Sequence, residues 1–212
     1  MKVVDRLDFV PRKCAGKRVL DLGCIGSYAY DQNTTREILW LHDEIKRYAS
    51  KVVGYDIDTA RAERLRQMGY DIHVANVYDL PKLLDGERFD VVVAGELIEH
   101  LPNPGQFLDI VASLLAPGGE IVLTTPNPGH YMNLFFLFQH RLIASHTDHV
   151  AWFDMETIKC LAEKQGLRLR EVRHYRHHRL SKLAWLRSTL EKGIFAFQPR
   201  YAPGLIAVLG KA

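Results

Sequence analysis

The feature that most constrains this chain is an alternation of short β-branched runs with segments of helical spacing. The runs are RVLDLG (18–23), KVVGYDI (51–57), DIHVAN (71–76), FDVVVAG (89–95) and GEIVLTTP (119–126), each with a polar residue, proline or glycine at or next to its end. Helical segments are predicted over 35–50, 59–69 and 104–119. In the last, Phe107, Ile110, Val111, Leu114 and Leu115 recur at helical spacing before Pro117-Gly118-Gly119. Strands that are apolar throughout, rather than at every second position, belong in a parallel sheet covered on both faces. The pattern continues with a helix over 154–166 and strands over 167–175 and 204–212. In such sheets ligands bind beyond the carboxyl ends of the strands, so each polar residue that closes a strand is a site candidate by position.

The chain has 212 residues, 47% hydrophobic and 25% charged, enough for one α/β domain over 1–212 that needs no staple to fold. A net charge of +3, with basic residues gathered only in the C-terminal third, gives little reason to expect a nucleic-acid partner. Cys14, Cys24 and Cys160 form no CxxC pair, which argues against a disulfide framework or a zinc cluster. Together with an N-terminus lacking an apolar leader and no run long enough to span a bilayer, they lead to the expectation of a cytoplasmic protein.

The first strand breaks into a loop, Asp21-Leu22-Gly23-Cys24-Ile25-Gly26, whose glycines let backbone approach a ligand. The Gly-x-x-Gly spacing is not the dinucleotide fingerprint Gly-x-Gly-x-x-Gly, and a plain tight turn is the alternative. The second strand ends in Asp56, an acceptor for both hydroxyls of a ribose. Asp58 rivals it but is better explained as the cap of helix 59–69. The third strand ends at Asn76, suited to an adenine edge together with the Val77 backbone N–H, or else to a turn that bonds its own backbone. The fourth runs into AGELIEHLPNP, bringing Glu96, Glu99 and His100 to the sheet edge.

Taken in order, Asp21-Leu22-Gly23-Cys24 with Gly26, Gly54-Tyr55-Asp56-Ile57-Asp58, FDVVVAGELIEHLPNP and LLAPGGEIVLTTPN resemble the class I S-adenosylmethionine-dependent methyltransferases over almost the whole chain. The flavour is that of ubiquinone-pathway O-methyltransferases and of bacterial glycan-cluster methyltransferases, which often share WLH (40–42), GYDI (69–72) and HTDHVAWF (146–153) segments. The resemblance implies a Rossmann-like doubly wound sheet of seven strands, mostly parallel, with one antiparallel strand near the C-terminus and helices on both faces. It also implies that S-adenosyl-L-methionine is the cofactor. Asp21, Gly23, Cys24 and Gly26 would cradle its methionine half, Asp56 and Ile57 its ribose side, Asn76 and Val77 its adenine, with Glu96 near the methionine end and the acceptor. Ile25 stands where many members have glycine, and Asn76 where many have aspartate. These departures leave open a non-catalytic S-adenosylmethionine-binding module that regulates a partner.

Methyl transfer asks mainly for orientation, and for a general base only when the acceptor must lose a proton. Histidine is suited to that role near neutral pH. His100 is the first candidate, then His149 and His146, although Asp148, Trp152 and Phe153 beside the latter pair fit an ordinary packed loop. Glu96-x-x-Glu99-His100 with His146-x-x-His149 also resembles the metal site of small-RNA 2′-O-methyltransferases, which makes a metal-assisted RNA enzyme the alternative function. No metal is the primary expectation, because the glutamate–histidine half occurs widely in metal-free relatives.

Three segments are candidate lids or acceptor elements: 27–50, 127–153 and 173–200. Tyr131, Phe135, Phe136, Phe138 and Trp152 either roof a pocket for an apolar acceptor or, with Leu134 and Leu137, pack a helix on the core. The stretch 173–197 interleaves Arg173, Arg176, Arg179, Lys182 and Arg187 with Leu183, Trp185, Leu186 and Phe195. It reads as a solvated helix face or as a peripheral contact with an anionic membrane. The acceptor expected is a small molecule or a glycan or lipid-linked precursor.

Overall fold

The computed structural model describes residues 3–26, 40–139, 147–176, 193–195 and 197–212. Its strands are β1 (Val3–Asp5), β2 (Arg18–Leu22), β3 (Lys51–Asp56), β4 (Ile72–Val74), β5 (Phe89–Gly95), β6 (Leu115–Pro126), β7 (Leu167–Arg176) and β8 (Gly204–Lys211). They form a sheet in the order β1-β7-β8-β6-β5-β2-β3-β4. Only β8 runs antiparallel, to both β6 and β7. The arrangement is the doubly wound α/β sheet expected, with eight strands rather than seven. The addition is the three-residue β1, parallel to β7 at the sheet's edge and too short to show a period in the sequence.

The central strand β5 shows why its run from Val91 to Ala94 is apolar throughout. Val91 and Val93 face a cluster with Val10, Val19, Ile45, Val122 and Val208. Val92 and Ala94 face the opposite cluster with Leu20, Leu22, Phe107, Val111 and Leu123. The first face is covered by α1 (Arg6–Lys13) and α2 (Leu41–Tyr48), the second by α4 (Leu80–Leu83), α5 (Pro104–Ser113) and α7 (Met155–Lys164). Burying both faces of β5 from Val91 to Ala94 is what excludes polar residues there, whereas Asp90 at its start is exposed.

Local chemistry sets the helix starts. Asp58 caps α3 (Thr59–Gln67), accepting the Arg61 N–H at 2.8 Å, as its alternative reading held. Asn103, followed by proline, caps α5, and Asp154 with Thr157 forms a capping box on α7. The helix expected over 104–119 ends at Ser113. The Phe89 N–H bonds the Leu114 carbonyl at 2.9 Å and Leu115 pairs with Phe89, which draws the chain into the sheet. Residues 35–39 of the helix expected over 35–50 lie outside the described residues, as does most of the basic stretch at 173–197. In that stretch Arg173–Arg176 belong to β7.

Candidate active site

The loop after β2 is built on backbone conformation. Gly23 and Gly26 have φ of +64° and +57°, the left-handed region that suits glycine. Space restricts Gly23 as well, since a Cβ there would meet Leu97 Cδ1 at 3.1 Å. The turn that follows β5 therefore packs directly on the loop that follows β2. Between the two glycines, Ile25 turns its side chain into the core beneath α3, beside Ala62, Leu65 and Ile72. The departure at this position fills the core rather than the crevice.

Asp56, at the carboxyl end of β3, secures that loop. Its Oδ2 accepts the Ile25 N–H at 2.9 Å and its Oδ1 accepts the Asp58 N–H at 3.0 Å. Each carboxylate oxygen keeps a second lone pair, and the residue is only half-buried. Next to it Ile57 is 73% exposed, an apolar side chain presented to solvent at the sheet's edge. Asn76 is exposed and its side-chain oxygen accepts the Tyr78 N–H at 3.1 Å, the turn arrangement weighed for it, which leaves its NH2 for another partner. Val77 buries its side chain, so only its backbone can serve a ligand.

Asp21 and Cys24 lie deeper. Asp21 is 2% exposed and its Oδ2 stands 2.8 Å from Nδ1 of the buried His42 on α2. The Cys24 carbonyl accepts the Trp40 indole N–H at 2.6 Å, and burial pushes its thiol well above the ordinary range. Trp40, His42 and Tyr70 form one aromatic cluster, with ring centres 4.9–6.0 Å apart. Tyr70 donates to Asp43 at 2.7 Å. The WLH and GYDI segments are thus a single brace behind the β2 loop.

At the end of β5 the expected residues separate into two groups. Glu96 adopts φ +54°, unusual for a residue with a side chain, and is drawn away by Arg6 and Tyr175. Arg6 Nη1 lies 3.4 Å from Glu96 Oε2, and the Tyr175 hydroxyl donates to Oε1. Burial and the Glu96 carboxylate push the Tyr175 phenol well above its usual range. Sequence reasoning missed both partners, one at the start of α1 and one near the end of β7. No local pattern announces a contact across 79 positions.

The second group converges. Glu99, His100 and His149 each offer a ligand atom, all within 4.8 Å of one another. Glu99 is buried, and its two oxygens have no hydrogen-bond partner among the described residues. Desolvation, with Glu96 adding in the same direction, raises its pKa to about 8. His100 Nδ1 is 3.1 Å from Asp148 Oδ2, and its ring meets that of His149 edge-on at 4.6 Å. The Glu99 carbonyl accepts the Val150 N–H at 2.9 Å, which ties the 147–153 segment to the end of β5. His146 lies outside the described residues.

These residues fit S-adenosylmethionine. The positive-φ glycines form a backbone cradle, Asp56 presents acceptors at its rim, and Ile57 and Asn76 stand exposed beside it. A model of a methyltransferase domain matches residues 2–172. The ubiquinone biosynthesis O-methyltransferase of Hahella chejuensis is 32% identical over 120 residues, which cover 53% of this chain and 45% of that enzyme. The enzyme of the same name from Coxiella burnetii is 27% identical over 189 residues, covering 82% of this chain and 74% of its own. Among solved structures, a SAM-dependent methyltransferase from Archaeoglobus fulgidus superposes with a TM-score of 0.63 at 19% identity, over 96% of this chain and 90% of that one. At that identity the likeness is one of fold.

Proposed function

This chain belongs to the class I S-adenosylmethionine-dependent methyltransferases, and from that premise we propose that it methylates an oxygen of a small molecule or of a glycan or lipid-linked precursor. When bound, the cofactor supplies an electrophilic methyl group on a sulfonium. Asp56 would hold the ribose hydroxyls, the backbone from Gly23 to Gly26 the methionine portion, and Asn76 with the Val77 N–H the adenine. His100 would take the proton from the acceptor oxygen. The observation that carries this reading is the His100–Asp148 pair, a carboxylate 3.1 Å from the imidazole on a turn whose Leu97 packs on Gly23. A carboxylate so placed can help to set the orientation of the ring. Both ubiquinone-pathway relatives are O-methyltransferases by name, which supports oxygen as the atom modified.

His100→Gln tests the assignment. Turnover falls by about 10²–10⁴-fold while S-adenosylhomocysteine affinity is kept; unchanged turnover puts the base elsewhere. The acceptor is sought by mass spectrometry of a deletion strain, as a species lighter by one methyl.

The convergence of Glu99, His100 and His149 favours a second reading, in which these side chains hold a divalent cation that assists an RNA 2′-O-methylation. Two imidazoles with one carboxylate suit manganese, iron or zinc better than magnesium. Glu96, which the resemblance would add to the set, is engaged by Arg6. Calorimetry with Mn²⁺ or Zn²⁺ on the chelator-treated protein and on Glu99→Gln separates the readings. Saturable binding lost in the variant supports the metal, and no binding removes it.

A further inference from the structure

The helix α6 (Tyr131–Phe138) is inverted. In YMNLFFLF the one strongly polar side chain, Asn133, is buried and donates to the Pro128 carbonyl at 3.1 Å. The large apolar ones point out: Leu134 is 37% exposed, Phe135 52%, Leu137 51% and Phe138 86%. The core-packing reading of this segment therefore fails. Tyr131, Met132, Leu134, Phe135 and Phe138 line a shallow groove of about 390 Å³. Phe197, 90% exposed, lies on the segment that meets the start of α6: Phe195 is 6.3 Å from the Tyr131 ring, and Asn127 Nδ2 donates to the Arg200 carbonyl. A cluster of this size on a water-facing helix marks an interaction surface.

Charge identifies the occupant. The stretches 121–147, 172–190 and 192–212 contain nine Lys or Arg and no Asp or Glu, although the whole chain has 28 and 25. The remainder is accordingly acidic, with 19 basic residues against 25 acidic ones. Arg176 and Arg200, both exposed, belong to the basic portion, and Arg200 sits beside the start of α6. Exposed apolar side chains with Arg176 and Arg200 at the same end of the sheet are complementary to a bilayer with anionic headgroups, where aromatic residues insert and the cations meet phosphate. No helix among the described residues is long and apolar enough to cross a membrane.

We propose that α6, with Phe197, is a membrane-docking surface that seats the protein on anionic lipid. Docking of this kind requires no turnover and depends neither on the acceptor nor on a metal. It moves the expected membrane contact from the basic stretch 173–197 to the helix after β6, with the basic residues in a steering role.

Co-sedimentation with vesicles of phosphatidylglycerol and phosphatidylcholine tests it. The wild-type chain partitions to these vesicles, at least about tenfold less to pure phosphatidylcholine, and less as salt rises. The double substitution Leu137→Asp and Phe138→Asp reduces partitioning at least about tenfold while S-adenosylhomocysteine binding and thermal unfolding are retained. Three results would overturn the proposal: no partitioning of wild type, equal partitioning of the variant, or light scattering that shows a wild-type dimer dissociated by the same substitutions. The last would make a second copy the occupant.

Discussion

Nδ1 of His42 stands 2.8 Å from Oδ2 of Asp21, and both side chains are sealed from solvent. In the tautomer with Nδ1–H, the ring donates to this carboxylate oxygen. Nε2 is buried without a hydrogen-bond partner among the described residues. The pair fastens α2 to the end of β2, directly behind the loop assigned to the cofactor. Removing the histidine would strand a buried carboxylate.

We therefore expect His42→Ala to lower unfolding free energy by about 1.5–3 kcal/mol, the range for hydrogen bonds to charged groups. Denaturant titration reads this loss. His42→Asn, which keeps a donor, recovers part of it. S-adenosylhomocysteine affinity falls in the alanine variant because the loop loses its brace. Equal stability of wild type and alanine variant would mean that the pair carries no structural load.

Glu99 gives a pH signature. With its pKa at about 8, the folded protein holds the proton after the unfolded chain has released it. Rising pH therefore favours unfolding, from the ordinary glutamate range up to about pH 8. Below that window the contribution is intact; above it the loss is complete. The slope from this group approaches ~1.4 kcal/mol per pH unit. Thermal unfolding of chelator-treated protein between pH 5 and 8 should fall more steeply for wild type than for Glu99→Gln. Parallel curves would show that Glu99 is ionised in the fold.

The thiols should differ in reactivity. Burial raises Cys14 to about 12 and Cys24 well above its usual range, whereas Cys160 is exposed. Ellman's reagent at pH 8 should titrate one thiol in the native protein and three in denaturant. Rapid reaction of a second thiol in the native state would reveal opening of the β2 loop or of α1.

Much of the fold was legible because each strand's burial is written in its own run of residues. Val91 to Ala94 are apolar because both faces of β5 are covered, and Asp58 and Asn103 sit where caps are needed. The candidate site was legible where it depends on strand ends: Gly23, Asp56, Asn76 and His100 all lie at the carboxyl edge. Its partners were not. His42, Arg6 and Tyr175 reach Asp21 and Glu96 across long sequence separations, which no local period encodes. The orientation of α6 was equally hidden, because an apolar helix reads the same whether it faces the core or the outside.

Calorimetric titration with S-adenosylhomocysteine, set against NADH, tests the central claim most directly. The expected result is a single saturable site for S-adenosylhomocysteine, weakened at least about tenfold in Asp56→Ala through loss of a carboxylate acceptor, and little affinity for NADH. Tighter binding of NADH, or wild-type affinity in the variant, would contradict it.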